Sequence, residues 1–144
     1  MLKTPRTAFV LPVEVRFRDL DPLGHVNNSV YLTYLEAARI AYWMDLTGSA
    51  DLQRLDMILA RVEVDFRSPA FYGEVLDVAC WCTSIGQTSF VLESRITDRK
   101  TSRLVAEARK VLVYYDHQSG RPRPLPPDLR ERLRPTDPGG SRAI

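Results

Sequence analysis

The chain has 144 residues, of which 44% are hydrophobic and 26% charged, and this is long enough for one globular domain with a buried core. Its net charge is only +2 and no apolar run could span a membrane, so neither a nucleic-acid-binding nor a membrane-spanning protein is expected. With two cysteines, two histidines and no signal peptide, we expect no disulfide framework, no metal site and a cytoplasmic location.

The first periodic segment, residues 9–18, is typical of a β-strand. Val13, Val15 and Phe17 alternate with polar residues, which predicts that these three side chains share one buried face. Pro12 has no backbone N–H and restricts pairing at its own position. We therefore expect a first strand with one apolar face.

A turn and a long helix are predicted next. Residues 21–24 read Asp-Pro-Leu-Gly, the residue types of a tight turn, because Pro presets one dihedral angle and Gly accepts a positive one. The side chains of Asn27, Asn28 and Ser29 can cap free backbone N–H groups, and apolar residues then recur every three or four positions. We predict a helix from about Asn28 to residue 46, closed near Gly48 and covered by protein on most sides.

The rest of the chain favours four strands with short connections. In the first of them, Ile58, Val62 and Val64 alternate with charged residues and are expected on one buried face. The order of one strand, a long helix and four strands predicts an α+β domain with an antiparallel sheet.

A short terminal helix could bury Leu129 and Leu133. We expect a single domain over residues 1–134 and a disordered tail over residues 135–144. The four strands are predicted over residues 57–67, 74–84, 89–97 and 104–115.

The predicted turn sets an acidic side chain, Asp21, shortly before the start of the helix. Free N–H groups at a helix N-terminus carry partial positive charge and can stabilise a carbonyl oxygen on which negative charge develops. Two interpretations fit these residue types. Either Asp21 closes the turn while the asparagines cap the helix, or the carboxylate and the N–H groups act together in acyl transfer.

The string D-x-D-P-x-G-H-V-N-N, followed by Y-L-x-Y-L-E-x-A-R, resembles the signature of hotdog-fold acyl-CoA thioesterases, and within them the 4-hydroxybenzoyl-CoA thioesterase family. The resemblance implies a hotdog fold, in which an antiparallel sheet of about five strands wraps around one long central helix. It also implies hydrolysis of an acyl-CoA thioester without a cofactor. Members of this family hide their sheet edges by pairing subunits, so a homodimer or a homotetramer formed by two dimers is expected.

The same resemblance assigns roles to individual residues. Asp21 matches the catalytic aspartate, which could attack the thioester carbonyl or act as general base on a water molecule. The backbone N–H of Asn28 matches the donor that polarises the carbonyl, and Gly24 would let the chain come close. His25 and Asn27 are expected to bind or orient the substrate.

Other candidates follow less directly. Glu36, two turns into the helix, is a reserve catalytic carboxylate, because another branch of hotdog enzymes uses a helix glutamate; alternatively it pairs with Arg39. Core residues and acyl-pocket residues look alike in a sequence, and the candidates for the pocket are Tyr31, Trp43, Met57 and Leu59.

The sequence departs from the family at residues 84–90, where the 4-hydroxybenzoyl enzymes carry basic residues that hold the CoA phosphates. This chain has no positive charge there, so other arginines are candidates for that role, namely Arg67, Arg95, Arg121 and Arg123. Two alternatives to an acyl-CoA thioesterase stay open: a non-catalytic module that binds acyl thioesters, and a thioesterase for acyl carrier protein esters. A hotdog dehydratase would need a histidine base within a hydration motif, and the sequence does not show that motif.

Overall fold

A computed structural model describes residues 3–51 and 55–135. Nearly all of the predicted tail, residues 136–144, lies outside these ranges. The elements are β1 (Phe9–Glu14), a short 3-10 helix (Phe17–Asp19), α1 (Asn28–Thr47), β2 (Met57–Phe66), β3 (Val75–Ile85), β4 (Ser89–Asp98), β5 (Leu104–Asp116), β6 (Arg121–Pro122) and α2 (Pro127–Leu133). No helix in the described part of the chain is both long and apolar enough to cross a membrane.

The strands form one antiparallel sheet in the order β1-β3-β4-β5-β2, and the two-residue strand β6 pairs with β5. Helix α1 packs across one face of this sheet. The expected α+β architecture is confirmed. The sheet has the five long strands that were predicted and, in addition, the short strand β6. We call the face that packs against α1 the inner face and the opposite one the outer face.

The predicted first strand is too long. Strand β1 ends at Glu14, and Val15 is buried but Phe17 is 76% exposed. The chain leaves the sheet there because the Asp19 carboxylate accepts a hydrogen bond from the backbone N–H of Arg16 and turns the segment into a 3-10 helix. Phe17 therefore does not belong to the core.

The alternation predicted for β2 also fails at one point. A β-bulge between Leu59 and Arg61 shifts the register, so Ile58 pairs with Val113 on the outer face while Val62 and Val64 remain on the inner face. Strand β2 lies at the edge of the sheet and has a neighbouring strand, β5, on one side only. Ile58 is therefore 37% exposed and Leu59 41% exposed.

The ends of α1 are confirmed. Asn27 is the N-cap residue, and its side chain accepts a hydrogen bond from the backbone N–H of Ser29. Gly48 closes the helix with φ of +67°. The helix is less covered than predicted, since Leu32 is 44% exposed in the single chain and Glu36 also faces solvent.

The core consists of two apolar clusters along α1. The N-terminal cluster includes Val26, Tyr31, Tyr34, Leu76 and Ile96, and the C-terminal cluster includes Trp43, Phe90, Leu112, Leu129 and Leu133. At the boundary between these clusters, Ser94 of β4 and Lys110 of β5 take inner positions next to Cys80 of β3, which belongs to the C-terminal cluster.

Lys110 is fully buried at this boundary. Its Nζ donates to Ser94 Oγ over 2.5 Å and lies 3.8 Å from Cys80 Sγ. Burial lowers the pKa of Lys110, because the charged form loses its contact with water. A polar layer thus separates the two halves of the core.

Candidate active site

The loop that carries Asp21 is closed by its own hydrogen bonds. The Asp21 backbone N–H donates to the His25 carbonyl and the Gly24 N–H donates to the Asp21 carbonyl, both over 3.0 Å. The Asp21 Oδ1 atom accepts a hydrogen bond of 2.8 Å from the Leu23 N–H. The predicted tight turn is therefore present, and Asp21 is held at its first position with a half-buried side chain.

Glycine is needed at position 24 for its backbone conformation. Gly24 has φ of +83°, which other L-residues rarely adopt. A Cβ atom there would meet no described atom within 4 Å. Gly24 is thus required by the turn and not by a close contact within the chain.

The turn is attached to the body of the protein on its C-terminal side. The Val26 N–H donates to the Ala70 carbonyl over 2.9 Å, and the Asn27 N–H donates to the Asp19 carbonyl over 3.0 Å. Val26 is completely buried. Asp21 therefore sits on a rigid turn whose base is fixed directly before α1.

Asn27 and Asn28 have different tasks at the start of α1. The Asn27 Oδ1 atom accepts hydrogen bonds from both the N–H and the Oγ of Ser29, so Asn27 caps the helix. Asn28 is the first helical residue, and its N–H has no carbonyl four residues earlier in the helix with which to pair.

A pocket of about 290 Å³ opens beside the first turn of α1. Three of the predicted site residues line it, namely His25, Asn28 and Tyr31. Phe66 and Arg67, at the end of β2, form part of the opposite wall. The remaining lining residues are Val26, Ser68 and Pro69.

Tyr31 lines this pocket but its hydroxyl group is already used. The hydroxyl oxygen accepts a hydrogen bond of 3.2 Å from the Ala70 N–H, and burial raises the pKa of Tyr31. Its ring contacts Phe66 with a centroid distance of 5.4 Å. Tyr31 thus offers the pocket an aromatic wall.

Glu36 lies away from the pocket. Its side chain is 60% exposed and its Oε2 atom is 3.7 Å from Arg39 Nη2, so the structure realises the predicted pair with Arg39. The other acyl-pocket candidates are dispersed. Trp43 and Met57 belong to the C-terminal cluster, and Leu59 lies on the edge strand β2.

Only one of the four arginines considered for the CoA phosphates is near this pocket. Arg67 lines it, with its Nε atom 3.2 Å from Glu107 Oε2. Arg95 lines a pocket on the outer face. Arg121 and Arg123 lie in the segment from β6 to α2, where Arg123 pairs with Asp56 over 2.9 Å.

The turn at residues 84–90, which is basic in the 4-hydroxybenzoyl enzymes, lies at the other end of α1. The Arg130 Nη1 atom donates to the Gly86 carbonyl, and the ring of Phe90 stacks on Trp43. Because α1 has 20 residues, it spans about 30 Å between this turn and Asn28.

Sequence reasoning missed the role of Asp19, the first aspartate of the D-x-D string. Its buried carboxylate accepts hydrogen bonds from Tyr34 Oη (2.7 Å), Arg16 Nη2 (2.9 Å) and the Arg16 backbone N–H (2.9 Å). Burial alone would raise the pKa of Asp19, but these hydrogen bonds outweigh it and lower the pKa below its usual value. Arg16, three residues earlier, was the available signal.

Within the described residues, no group of three His, Cys, Asp or Glu side chains is arranged to hold a metal ion. What the site provides is a carboxylate on a fixed turn, the N–H of Asn28 at the helix start and an aromatic-walled pocket. This set of groups can polarise a carbonyl and deliver a nucleophile to it.

Comparison with known proteins gives consistent results. The sequence model of a family described as "Thioesterase-like superfamily" matches residues 15–133. The long-chain acyl-CoA thioesterase FadM of Escherichia coli (strain K12) is 29% identical over 126 residues, which cover 84% of this chain and 93% of FadM.

Solved structures agree over a similar length. A thioesterase from Thermus thermophilus, in complex with coenzyme A and Zn, is 41% identical, with a TM-score of 0.78 and coverage of 87% of this chain and 90% of that one. A predicted thioesterase from Bacillus stearothermophilus is 30% identical, with a TM-score of 0.82 and coverage of 89% and 95%. The match at residues 15–133 includes the whole candidate site.

Proposed function

This chain belongs to the thioesterase-like superfamily, and from that premise we propose that it is an acyl-CoA thioesterase with Asp21 as its catalytic carboxylate. It hydrolyses an acyl-CoA thioester to the free acid and CoA. The observation that carries the assignment of Asp21 is the closed turn, which fixes this carboxylate shortly before the Asn28 N–H at the start of α1. His25 and Asn28, which follow the turn, line the pocket, whereas Asp21 is not one of its lining residues.

The start of α1 is suited to the oxyanion of this reaction. The thioester carbonyl oxygen would accept a hydrogen bond from the Asn28 N–H, where the helix contributes roughly half an elementary positive charge. Negative charge grows on that oxygen as the carbonyl carbon becomes tetrahedral. The N–H therefore stabilises the transition state more than the bound substrate.

Asp21 can act by two mechanisms, as a general base or as a nucleophile. As general base, it takes a proton from a water molecule whose oxygen attacks the carbonyl carbon; the C–S bond then breaks and the thiolate of CoA takes up a proton. As nucleophile, it attacks the carbon itself and expels the thiolate, and water then hydrolyses the mixed anhydride. An acyl group found on the chain after rapid acid quenching would identify the nucleophile.

The other site residues support binding and position. Gly24 permits the turn that holds Asp21, and Asn27 orients the first turn of α1 by capping it. His25 and Tyr31 line the pocket and would contact the acyl group or the thioester end of the pantetheine arm of CoA. Glu36, which is exposed and paired with Arg39, has no part in this proposal.

A second copy of the chain is expected at the edge strand β2. This strand offers ten residues of backbone whose outer edge has no partner among the described residues, together with the exposed side chains of Leu59 and Phe66. Phe66 also lines the pocket. A copy that pairs along β2 would therefore lie next to the site, which makes a homodimer part of the proposed function.

A cytoplasmic location is also part of the proposal. Cys80 and Cys82 are both buried and neither forms a disulfide, as is usual for proteins of reducing compartments.

Thiol release from a panel of acyl-CoA esters tests the function. The panel contains short and long aliphatic, benzoyl and phenylacetyl esters, with the matching acyl carrier protein esters run beside them. Hydrolysis of CoA esters is the expected result, and the order of the rates would identify the acyl group. Cleavage of carrier-protein esters alone would replace the substrate class, and binding without cleavage would indicate a non-catalytic module.

A further inference from the structure

The loop that carries Asp21 has a narrow base, which lies between Asp19 and Asn27. The Asn27 N–H donates to the Asp19 carbonyl over 3.0 Å, and Leu20 and Val26, directly inside this pair, form an isolated antiparallel bridge. The segment between them is thus a closed loop. Because Asn27 is also the N-cap of α1, the position of Asp21 relative to the first helical N–H depends on how this base is held.

The side chain of Asp19 fixes the base of the loop to α1. Its carboxylate is buried and accepts a hydrogen bond of 2.7 Å from Tyr34 Oη, in the second turn of the helix. Two groups of Arg16, the backbone N–H and Nη2, donate to the same carboxylate, each over 2.9 Å. We call Arg16, Asp19 and Tyr34 the Asp19 network. It joins the chain before the loop to the helix after the loop.

The Asp19 network also reaches the pocket. The ring of Tyr34 packs edge-on against Tyr31, with a centroid distance of 6.1 Å. Tyr31 lines the pocket and accepts a hydrogen bond from the Ala70 N–H, and the Ala70 carbonyl accepts one from the Val26 N–H. One continuous set of contacts therefore joins the Asp19 carboxylate to the pocket wall and to the C-terminal side of the loop.

The Asp19 carboxylate is a costly group with which to hold a loop, because burial disfavours its charge. Hydrogen bonds, however, depend on direction as well as distance, so they restrict the position of the loop base more narrowly than apolar contacts would. Such accuracy matters for a reaction, since a displacement of about 1 Å can cost about 10²-fold in rate.

We propose that Asp19 and Tyr34 are positioning residues of the reaction, which hold the Asp21 carboxylate at a fixed distance from the Asn28 N–H. The inference rests on the proposed function, in which Asp21 acts on the thioester and the Asn28 N–H polarises its carbonyl. Asp19 and Tyr34 are both buried, and neither lines the pocket. They therefore act through Asp21 and not on the substrate.

Steady-state hydrolysis by Tyr34→Phe tests this proposal. The variant keeps the buried ring and removes only the hydroxyl group that donates to Asp19. With the best acyl-CoA of the panel, kcat should fall by about 10- to 100-fold while KM stays within about 2-fold, because the pocket is unchanged. Tyr42→Phe makes the same change about 12 Å further along α1, where the ring packs on Phe9, and should keep the parent kcat.

A double-mutant cycle shows whether the two positioning residues act through one contact. Asp19→Asn should also lower kcat. The variant with both Asp19→Asn and Tyr34→Phe should then be within about 2-fold of the slower single variant, because the second change removes a contact that the first has already impaired. Effects on kcat that multiply would overturn the proposal.

Amide hydrogen exchange separates a local effect from a general loss of stability, and it needs no turnover. In Tyr34→Phe, the exchange rate of a peptide with residues 20–28 should rise by at least about 10-fold more than that of peptides from β3, β4 and β5, which report on the whole fold. If Tyr34→Phe does not fold, Arg16→Met takes its place with the same expected directions, since it removes the Nη2 contact and leaves the contact from Tyr34 intact.

Three results would overturn the proposal: a kcat equal to that of the parent, a change confined to KM, or an equal rise in exchange throughout the chain. A parent that hydrolyses no thioester would overturn the proposed function and, with it, the catalytic role of Asp19 and Tyr34. The exchange measurement distinguishes these failures, because it decides without any turnover whether the Asp19 network holds the loop.

Discussion

The two ends of α1 are built on different principles. At the N-terminal end, a turn, an N-cap and a buried carboxylate are joined by hydrogen bonds around an open pocket. At the C-terminal end, Trp43 stacks on Phe90 with a centroid distance of 5.6 Å, and α2 covers the pair with Leu129 and Leu133. In the proposed function the first end positions groups for chemistry, while the second end contributes apolar burial. Substitutions should therefore separate activity from stability.

The largest effect on stability is expected at the closed end. Trp43→Ala removes a side chain that is 2% exposed and stacked, and should lower the free energy of unfolding by about 3–5 kcal/mol. The folded fraction should hydrolyse thioesters at the parent rate. Denaturant unfolding and thiol release measure the two quantities, and Leu32→Ala, on the exposed side of the same helix, is the control with a small expected change.

At the open end, Asp19→Asn should cost about 1.5–3 kcal/mol, because hydrogen bonds from Arg16 and Tyr34 to a charged group are weakened. The pKa of Asp19 is lowered in the folded state, so its contribution is complete above the unfolded pKa of about 3.9 and disappears as the pH falls through the folded pKa. Unfolding free energies measured from pH 7 to pH 2 should therefore converge for parent and variant. A constant difference would contradict this account of Asp19.

Between the two ends, Lys110→Met should raise stability by about 1–3 kcal/mol, since an apolar side chain of similar length replaces a buried amine. The pKa of Lys110 is lowered by burial, so the parent gains stability as the pH rises toward the ordinary value of about 10.4, and the variant does not. Melting curves at pH 6 and pH 9 test this difference. A less stable variant at both values would show that the hydrogen bond to Ser94 outweighs the cost of burial.

The smallest effect distinguishes the two asparagines at the start of α1. Asn27→Ala removes the N-cap and should cost about 1 kcal/mol. Asn28→Ala should cost less and retain most of the activity, because the proposed role of Asn28 belongs to its backbone N–H. Thermal melting and thiol release on both variants test this order. Loss of activity in a stable Asn28→Ala variant would move the role to the side chain.

Local signals in the sequence were sufficient for α1 and its surroundings. The turn at residues 21–24, the cap at Asn27 and the stop at Gly48 each depend on a few neighbouring residues, and all three were predicted. The number of long strands followed from periodicity, and their antiparallel direction followed from the short connections between them. Phe17 was misassigned, because its alternation continues through a segment in which Asp19 turns the chain out of the sheet.

Features that depend on distant residues were not predictable. The burial of Asp19 requires Tyr34 from the second turn of α1, and the bulge in β2 is visible only through its pairing with β5. From its charge alone, Lys110 would be expected to face solvent. Only the pairing of the strands shows that it lies on the inner face, where it contacts Ser94. The turn and the helix start of the candidate site follow from local residues. For the wall from β2 the sequence suggested Met57 and Leu59, whereas the pocket is lined by Phe66 and Arg67 at the other end of that strand.

The most direct test of the central claim compares Asp21→Asn with the parent in thiol release from the best acyl-CoA of the panel. An asparagine side-chain oxygen can still accept the hydrogen bond from the Leu23 N–H, so the turn and the melting temperature should be kept. Turnover should fall by on the order of 10² to 10⁴. A rate equal to that of the parent would remove Asp21 from the mechanism and leave the turn with a purely structural role.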